Sequence, residues 1–372
     1  MPRRGENIRK RKDGRWEGRF IDFYKPDKTP HYKSIYGGTY TEVKDMLQVK
    51  RSQKEPLNQP STDRDVDSLS AEWLESSKVR VKVSTYARYY TILQSHIAPY
   101  FGAIPAAAIT NEVIENFVKE KTESKSVRPL SPKTLRCIIS VLFQIIKYAE
   151  KHQYIQPLSL MVELPRAQSG KLSVLSLEQE RKLLEYIQGN LSKETLGILI
   201  ALYTGVRLGE LCALTWDSVD FTMEELQITK TVQRIKNLTP KSVAKTRLLI
   251  DSPKSEKSLR AIPLPSSILE ILKTFNECQK GTDYILSGTA AMPDPRTYQN
   301  VFQKHLKAAG LSSINFHAIR HTFATRAIEV EFDVKSLSEI LGHASVRFTL
   351  DRYVHSSREQ KRACMEKMSK CY

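Results

Sequence analysis

The sequence predicts a multidomain α+β protein, and three observations carry that prediction. At 372 residues the chain exceeds the usual span of one domain, so two or three are expected, with length enough to bury a real core. Residues 1–56 alternate like short strands around an Asp13-Gly14 turn and then read as one helix, whereas residues 66–165 carry only helical periodicity. Residues 172–372 mix apolar helices with three strand-like runs, so a mainly α domain holding a small antiparallel sheet is expected there. Two segments without periodicity separate these parts. EPLNQPSTDRD contributes the linker 57–65, and ELPRAQSGKLSVL leads into the last domain.

Each element has a local reason. In IRKRKDGRWEGRFIDFYK, Asp13-Gly14 is a strong hairpin signal, HYKSIYG supplies a third strand, and TEVKDMLQVKRSQK reads as a helix opened by Thr41. Arg15, Arg19 and Lys33 are interleaved there with Trp16, Phe20, Tyr24, Tyr32 and Tyr36. Such a sheet either enters a DNA groove or is a basic, solvated face over an aromatic core, and composition does not separate the two. The middle part reads as LSAEWLESS, STYARYYTILQSHIAPYF, NEVIENFVKEKT and PKTLRCIISVLFQIIKYAEKHQ, the last opened by Ser131 as cap and Pro132 in the first turn. Leu135, Ile138, Ile139, Leu142, Ile145 and Ile146 follow helical spacing and belong to a core. Thr85, Tyr86, Arg88, Lys133 and Arg136 could face a DNA backbone, although a solvated surface explains them equally well. In the last part Ser176 and Gln179 form a capping box, and LGILIALYTGVRLGELCAL reads as one buried helix with Arg207 and Glu210 paired near its polar end. The strand-like runs LQITKTVQRI, TRLLIDS and SLRAIPLP follow, with SPKSEKS between the second and third.

Composition narrows the partner. Lys plus Arg number 58 against 41 Asp plus Glu, a formal net charge of +17, which favours a polyanion. The five cysteines, Cys137, Cys212, Cys278, Cys364 and Cys371, are odd in number, scattered and without a C-x-x-C pair, as expected for a reducing compartment and no zinc ribbon. MPRRGENIRKRK has no apolar stretch after its charges, so it does not read as a secretory signal, and LGILIALYTG is too short to span a bilayer. A soluble protein with no membrane partner is expected.

The chemistry concentrates between His317 and Tyr353. His317 and Arg320 share one face of a helical segment about one turn apart, LGH ends at His343, and Tyr353 sits on another short helix. With Arg207 of TGVRLGEL they supply two guanidiniums, two imidazoles and one phenol. A phosphodiester under attack spreads negative charge over its non-bridging oxygens, and catalysis is mostly positioning and electrostatic stabilisation. Arginine offers a permanently charged bidentate fork, and histidine donates a hydrogen bond or moves a proton near neutrality. A phenol becomes a useful nucleophile once cations and a base help remove its proton. Singly, each residue has a plainer explanation as a surface pair, a loop histidine or a core tyrosine. His317 and His321 also lie four apart, but Ala318 stands where H-E-x-x-H needs glutamate, so no metal site is expected and His321 packs or bonds behind the site.

An arginine box, H-x-x-R, L-G-H and a tyrosine ten residues beyond, in that order, resemble the tyrosine recombinases, most of all the integrases of conjugative transposons. The resemblance implies an arm-site DNA-binding domain at residues 1–56, a helical core-binding domain at 66–165, and a catalytic domain at 172–372 of the DNA breaking-rejoining fold. It implies site-specific recombination through a 3′-phosphotyrosine, with Tyr353 as nucleophile, Arg207, Arg320 and His343 stabilising charge, His317 as base or acid, and Glu210 bracing the site. Lys254 matches the family's hairpin lysine, which would protonate the departing 5′ oxygen, with Lys257 a close competitor; His355 is common in this part of the family and need not act. No cofactor is implied. The implied partners are double-stranded DNA at core and arm sites, three further copies of the chain in a homo-tetramer joined through the carboxy-terminal tail, and an excisionase or DNA-bending accessory protein, in a bacterial cytoplasm at the nucleoid. A type IB topoisomerase-like enzyme, a metal-dependent nuclease and a non-catalytic DNA-binding protein are the competing expectations.

Overall fold

The computed structural model describes residues 7–24, 30–52, 64–123, 129–165, 173–239, 242–252 and 258–353 and a few positions of the tail, without the side chains of residues 21–24 and 50–52. Internal contacts divide the chain into two units, Met1–Ser77 with Ile92–Arg166 and Lys78–Thr91 with Ala167–Tyr372.

The first unit begins with an antiparallel sheet in the order β1 (Ile8–Lys10), β2 (Trp16–Tyr24), β3 (Pro30–Gly37) and continues into α1 (Tyr40–Ser52). Gly14, at φ +85°, makes the expected turn, and its N–H reaches the Arg11 carbonyl at 3.2 Å. Thr39, not Thr41, opens α1. Its hydroxyl accepts the Glu42 N–H at 3.2 Å while the Glu42 carboxylate turns back to the Gly38 N–H at 2.8 Å. The physical reason is spacing, since Thr39 has a glutamate three residues later and Thr41 does not. Val43 and Leu47 of α1 lie on the sheet over Ile8, Trp16, Phe20 and Ile35, and a Cβ on Gly18 would stand 2.7 Å from both, so only glycine allows this approach.

The first unit continues with α2 (Val66–Ser77), α4 (Ala98–Phe101), α5 (Asn111–Glu123) and α6 (Pro132–Lys151), while α3 (Val83–Ile92) belongs, up to Thr91, to the second unit. The single helix expected over residues 84–101 carries a π-helical segment, Leu93–Ile97. Pro99 explains it, because a proline has no N–H to continue the ladder and its ring crowds the carbonyl four residues back. Ser131 caps α6 through the Thr134 N–H at 3.2 Å, and all six apolar positions named from the spacing are buried.

The second unit is built around α8 (Lys193–Thr204), preceded by α7 (Leu177–Gly189) with the expected Ser176–Gln179 capping box. Residues Thr195 to Leu202 are all buried, which places α8 inside the core rather than on its surface. The expected single helix through Leu214 is broken. Gly205 ends α8 at φ +63°, and a separate turn, α9 (Leu208–Leu211), follows. The Thr-Gly pair is a left-handed helix stop, so the apolar run was no guarantee of continuity. The run LQITKTVQRI is likewise split. β4 (Val219–Asp220), β5 (Glu225–Ile228) and β8 (Arg260–Pro263) form one sheet, and β6 (Thr231–Lys236) pairs with β7 (Thr246–Asp251) in another. α9 lies against the β6 backbone at Gly209, where a Cβ would be 2.6 Å from the Val232 carbonyl. Then come α10 (Ser266–Asn276), α11 (Pro295–Ala308), α12 (His317–Glu329), α13 (Val334–Leu341) and α14 (Val346–Tyr353). Among the described residues no helix is long and apolar enough to cross a membrane.

A Cβ on Gly205 would meet Phe323 at 2.5 Å and would also hold a left-handed conformation. Gly205→Ala is therefore expected to lower unfolding free energy by about 2 kcal/mol or more, read from the urea midpoint at unchanged slope.

Candidate active site

The stop at Gly205 and the end of α13 bring the arginine box and the LGH segment together. Asp333 caps the start of α13 through the Ser336 N–H at 2.8 Å, and Gly342, at φ +61°, ends it. The last carbonyls of a helix have no partner within it and carry the negative end of its dipole. Three in a row are taken by three different arginines. Arg260 Nε donates to Ile340 O at 2.5 Å, Arg320 Nη2 to Leu341 O at 2.5 Å, and Arg207 Nη2 to Gly342 O at 3.0 Å. Arg320 Nη1 also donates to Gly205 O at 2.8 Å, so the helix stop and the arginine orient each other.

Glu210 joins two of these cations. Its carboxylate accepts from Arg207 Nη1 at 2.6 Å and from the Arg207 N–H at 3.0 Å, and from Arg260 Nη2 at 2.8 Å. Burial pushes its carboxyl up, but the Arg260 hydrogen bond and charge, with Arg207 behind them, prevail and hold it at about 2. Arg320 is only 2% exposed, and among the described residues it has no carboxylate partner. Burial first, then the Arg207 guanidinium, pulls it down to about 9. Three guanidiniums against one carboxylate leave net positive charge in a largely dry place, a setting that favours an incoming anion.

The imidazoles and the phenol stand against this cluster. His343, at the first position past Gly342, has Nδ1 2.7 Å from Thr349 Oγ1, and its ring stacks on Tyr353 with centroids 6.3 Å apart. Tyr353 is 7% exposed among Ala324, Ala327, Leu337 and Leu341, with its hydroxyl 2.7 Å from His321 Nδ1. Burial raises its pKa, opposed by Arg320 and Arg352. His317 opens α12, its ring edge-on to His321 at 4.5 Å. Partial burial, then the Arg320, Arg207 and Arg352 cations, hold His317 at about 4 with its outer edge open to solvent. Burial and Arg320 similarly hold His343 at about 3, and burial with His317 holds His321 at about 4. The imidazoles are neutral at pH 7.

The structure thus brings together Arg207, Glu210, His317, Arg320, His343 and Tyr353, sets the expected His321 behind them against the Tyr353 hydroxyl, and adds Arg260, Thr349 and Arg352, which the spacing did not single out for the site. Arg260 gave no signal beyond opening an apolar strand. Lys254, Lys257 and His355 lie outside the described residues. On the amino-terminal sheet, Arg19 pairs with Ser34 and Glu17 with Tyr36, on the face away from α1, where Arg15 and Arg11 stack on Tyr36 at 5.9 and 5.3 Å. Lys33 pairs with Phe20 and so belongs to the opposite face. Trp16 and Phe20 pack with the core under α1, while Tyr32 and Tyr36 are exposed, Tyr36 beneath the two arginines. Arg88, Lys133 and Arg136 are exposed, and Arg136 Nη2 donates to Pro165 O at 3.3 Å.

Glu210→Gln tests this network. Because the folded carboxyl titrates near 2 instead of 4.5, its stabilisation is complete above about pH 4.5 and is lost as pH falls toward 2. The variant is expected to be less stable by about 3 kcal/mol at pH 7, with the gap closing below pH 4.5 in pH-resolved urea titrations.

Residues 66–122 match the phage integrase N-terminal SAM-like domain. The chain is similar to a tyrosine recombinase XerC-like protein of Caldanaerobacter subterraneus subsp. tengcongensis, 25% identical over 91% of each chain, and to the ICEBs1 integrase of Bacillus subtilis, 24% identical over 86% of this chain and 87% of the other. Its fold matches the Tn1549 transposon integrase, solved in complex with circular intermediate DNA, at a TM-score of 0.65 and 23% identity over 82% of this chain and all of that one (100%). Residues 173–360, half of the chain and the whole of the arginine, histidine and tyrosine cluster, match the phage integrase family, and the chain belongs to that family.

Proposed function

We propose that the cluster binds the scissile phosphate of double-stranded DNA and that the protein is a site-specific tyrosine recombinase, an integrase acting on a mobile element. The observation that carries this is the buried Arg320 guanidinium, bonded only to carbonyls among the described residues, beside Arg207 and the Tyr353 ring. Arg207, Arg320 and His343 would hold the non-bridging oxygens, with Thr349 on Nδ1 of His343 leaving Nε2 for the phosphate. Tyr353 Oη attacks phosphorus, its proton passing to His317, whose low pKa leaves it neutral and able to accept. The P–O5′ bond breaks, Lys254 protonates the departing oxygen, and the strand's 3′ phosphate stays on tyrosine until the partner's 5′ hydroxyl reverses the step. The arriving phosphate opposes the surrounding cations and so raises the histidine pKa values.

The remaining assignments follow the family. Residues 1–56 would bind arm sites through the Arg15, Arg19 and Tyr36 face, with Lys33 reaching the backbone from the other side. Residues 66–165, through Arg88, Lys133 and Arg136, would grip the core site, and residues 172–372 would carry the chemistry. A homo-tetramer would hold two duplexes, aided by an excisionase or a DNA-bending protein, in the bacterial cytoplasm.

Incubation with a nicked suicide duplex is expected to yield a covalent adduct that maps to Tyr353, persists in EDTA and disappears in Tyr353→Phe. An adduct on another residue, or loss with chelator, overturns the reading. Lys254→Ala is expected to slow adduct formation by about 100-fold or more and to recover on a substrate whose bridging 5′ oxygen is sulfur, a leaving group that needs no proton. Lys257→Ala is expected to show neither effect, and the reverse pattern would reassign the lysine.

A further inference from the structure

The Tyr353 hydroxyl is held by a residue to which the phosphate chemistry above gives no part. His321 Nδ1 lies 2.7 Å from it, and the other ring nitrogen, Nε2, lies 3.5 Å from Arg352 Nη2. The longer contact favours one direction for the short one. A guanidinium only donates, so a bond to Arg352 makes Nε2 the acceptor and puts the single N–H of a neutral imidazole on Nδ1. In that tautomer Nδ1–H donates to the phenol oxygen. The low pKa of His321 agrees with a ring carrying a single proton.

We infer that His321, oriented by Arg352, is a positioning residue for the nucleophile: its Nδ1–H occupies one lone pair of Tyr353 Oη, aims the oxygen and favours the phenolate as attack begins. His321 takes no proton and forms no bond to phosphorus in this role. Its placement suits the task, since α12 presents His317 and Arg320 from the same turn and so ties the nucleophile's direction to the groups that face the phosphate. Arg352, one residue before Tyr353, also acts on the hydroxyl. The neighbouring cation thus strengthens the donor and the oxygen together.

The inference rests on Tyr353 being the nucleophile, and the experiment separates the two. Adduct formation on the suicide duplex is measured for the wild type, Tyr353→Phe, His321→Leu and His321→Asn. Asparagine retains an N–H close to the position of Nδ1, whereas leucine has none. In parallel, each protein joins a 5′-hydroxyl strand to a DNA end bearing a 3′-p-nitrophenyl phosphate, a reaction in which nitrophenol replaces tyrosine as leaving group. His321→Leu is expected to form adduct about 10- to 100-fold more slowly while joining the nitrophenyl end within about threefold of the wild type, and His321→Asn to recover most of the lost cleavage rate. Equal loss of both reactions, an unchanged cleavage rate in His321→Leu, or no recovery with asparagine overturns the inference. If Tyr353→Phe still forms the adduct, the assignment of the nucleophile falls instead.

Discussion

One buried carboxylate holds the site together. Glu210, 3% exposed, is the sole described acid between Arg207 and Arg260, and without it their guanidiniums would stand beside Arg320 with no carboxylate among the described residues. Like charges that close repel strongly at low effective dielectric, and removing the acid from a buried pair is costly. The helix end of α13 does the rest, since each arginine also donates to one of three successive carbonyls. The result is a set of cations that are fixed in place yet not neutralised. That combination is what a phosphate-binding catalyst needs, because donors that are already oriented require no rearrangement when charge develops.

Neutral histidines follow from the same arrangement. The imidazoles of His317 and His343 are held low by burial and by the arginines, so at neutral pH they accept hydrogen bonds or protons before a phosphate arrives. The charge of a bound phosphate would oppose that balance. In the proposed reaction, one electrostatic setting would serve both a proton acceptor in the resting site and a donor once the phosphate is in place.

What the chain shows before folding is what local rules determine. The Ser131 cap, the Ser176 capping box, the buried α8 and the shared face of His317 and Arg320 all depend on residues within a few positions of one another. Each family motif is local in the same way, although their order runs from Arg207 to Tyr353. The misses are of another kind. Arg260 reaches Ile340 across 80 residues, Arg207 reaches Gly342 across 135, and Arg320 reaches Gly205 across 115, and no periodicity encodes such pairs. The break after Thr204 and the split of LQITKTVQRI between two sheets were obscured because apolar runs outweigh a single glycine in pattern reading. His321 was legible as a residue behind the site, whereas its bond to Tyr353 depends on how α14 returns to α12.

Gly342 shows how far a side-chain inventory can undercount such a site. Its backbone turns left-handed, its carbonyl anchors Arg207, and a methyl group in place of its hydrogen would stand 3.0 Å from the Arg260 guanidinium. The middle letter of the LGH signature is therefore no spacer. It is a working part made wholly of main chain, and swapping it for the smallest chiral residue would disturb two cations at once without removing a single charged group.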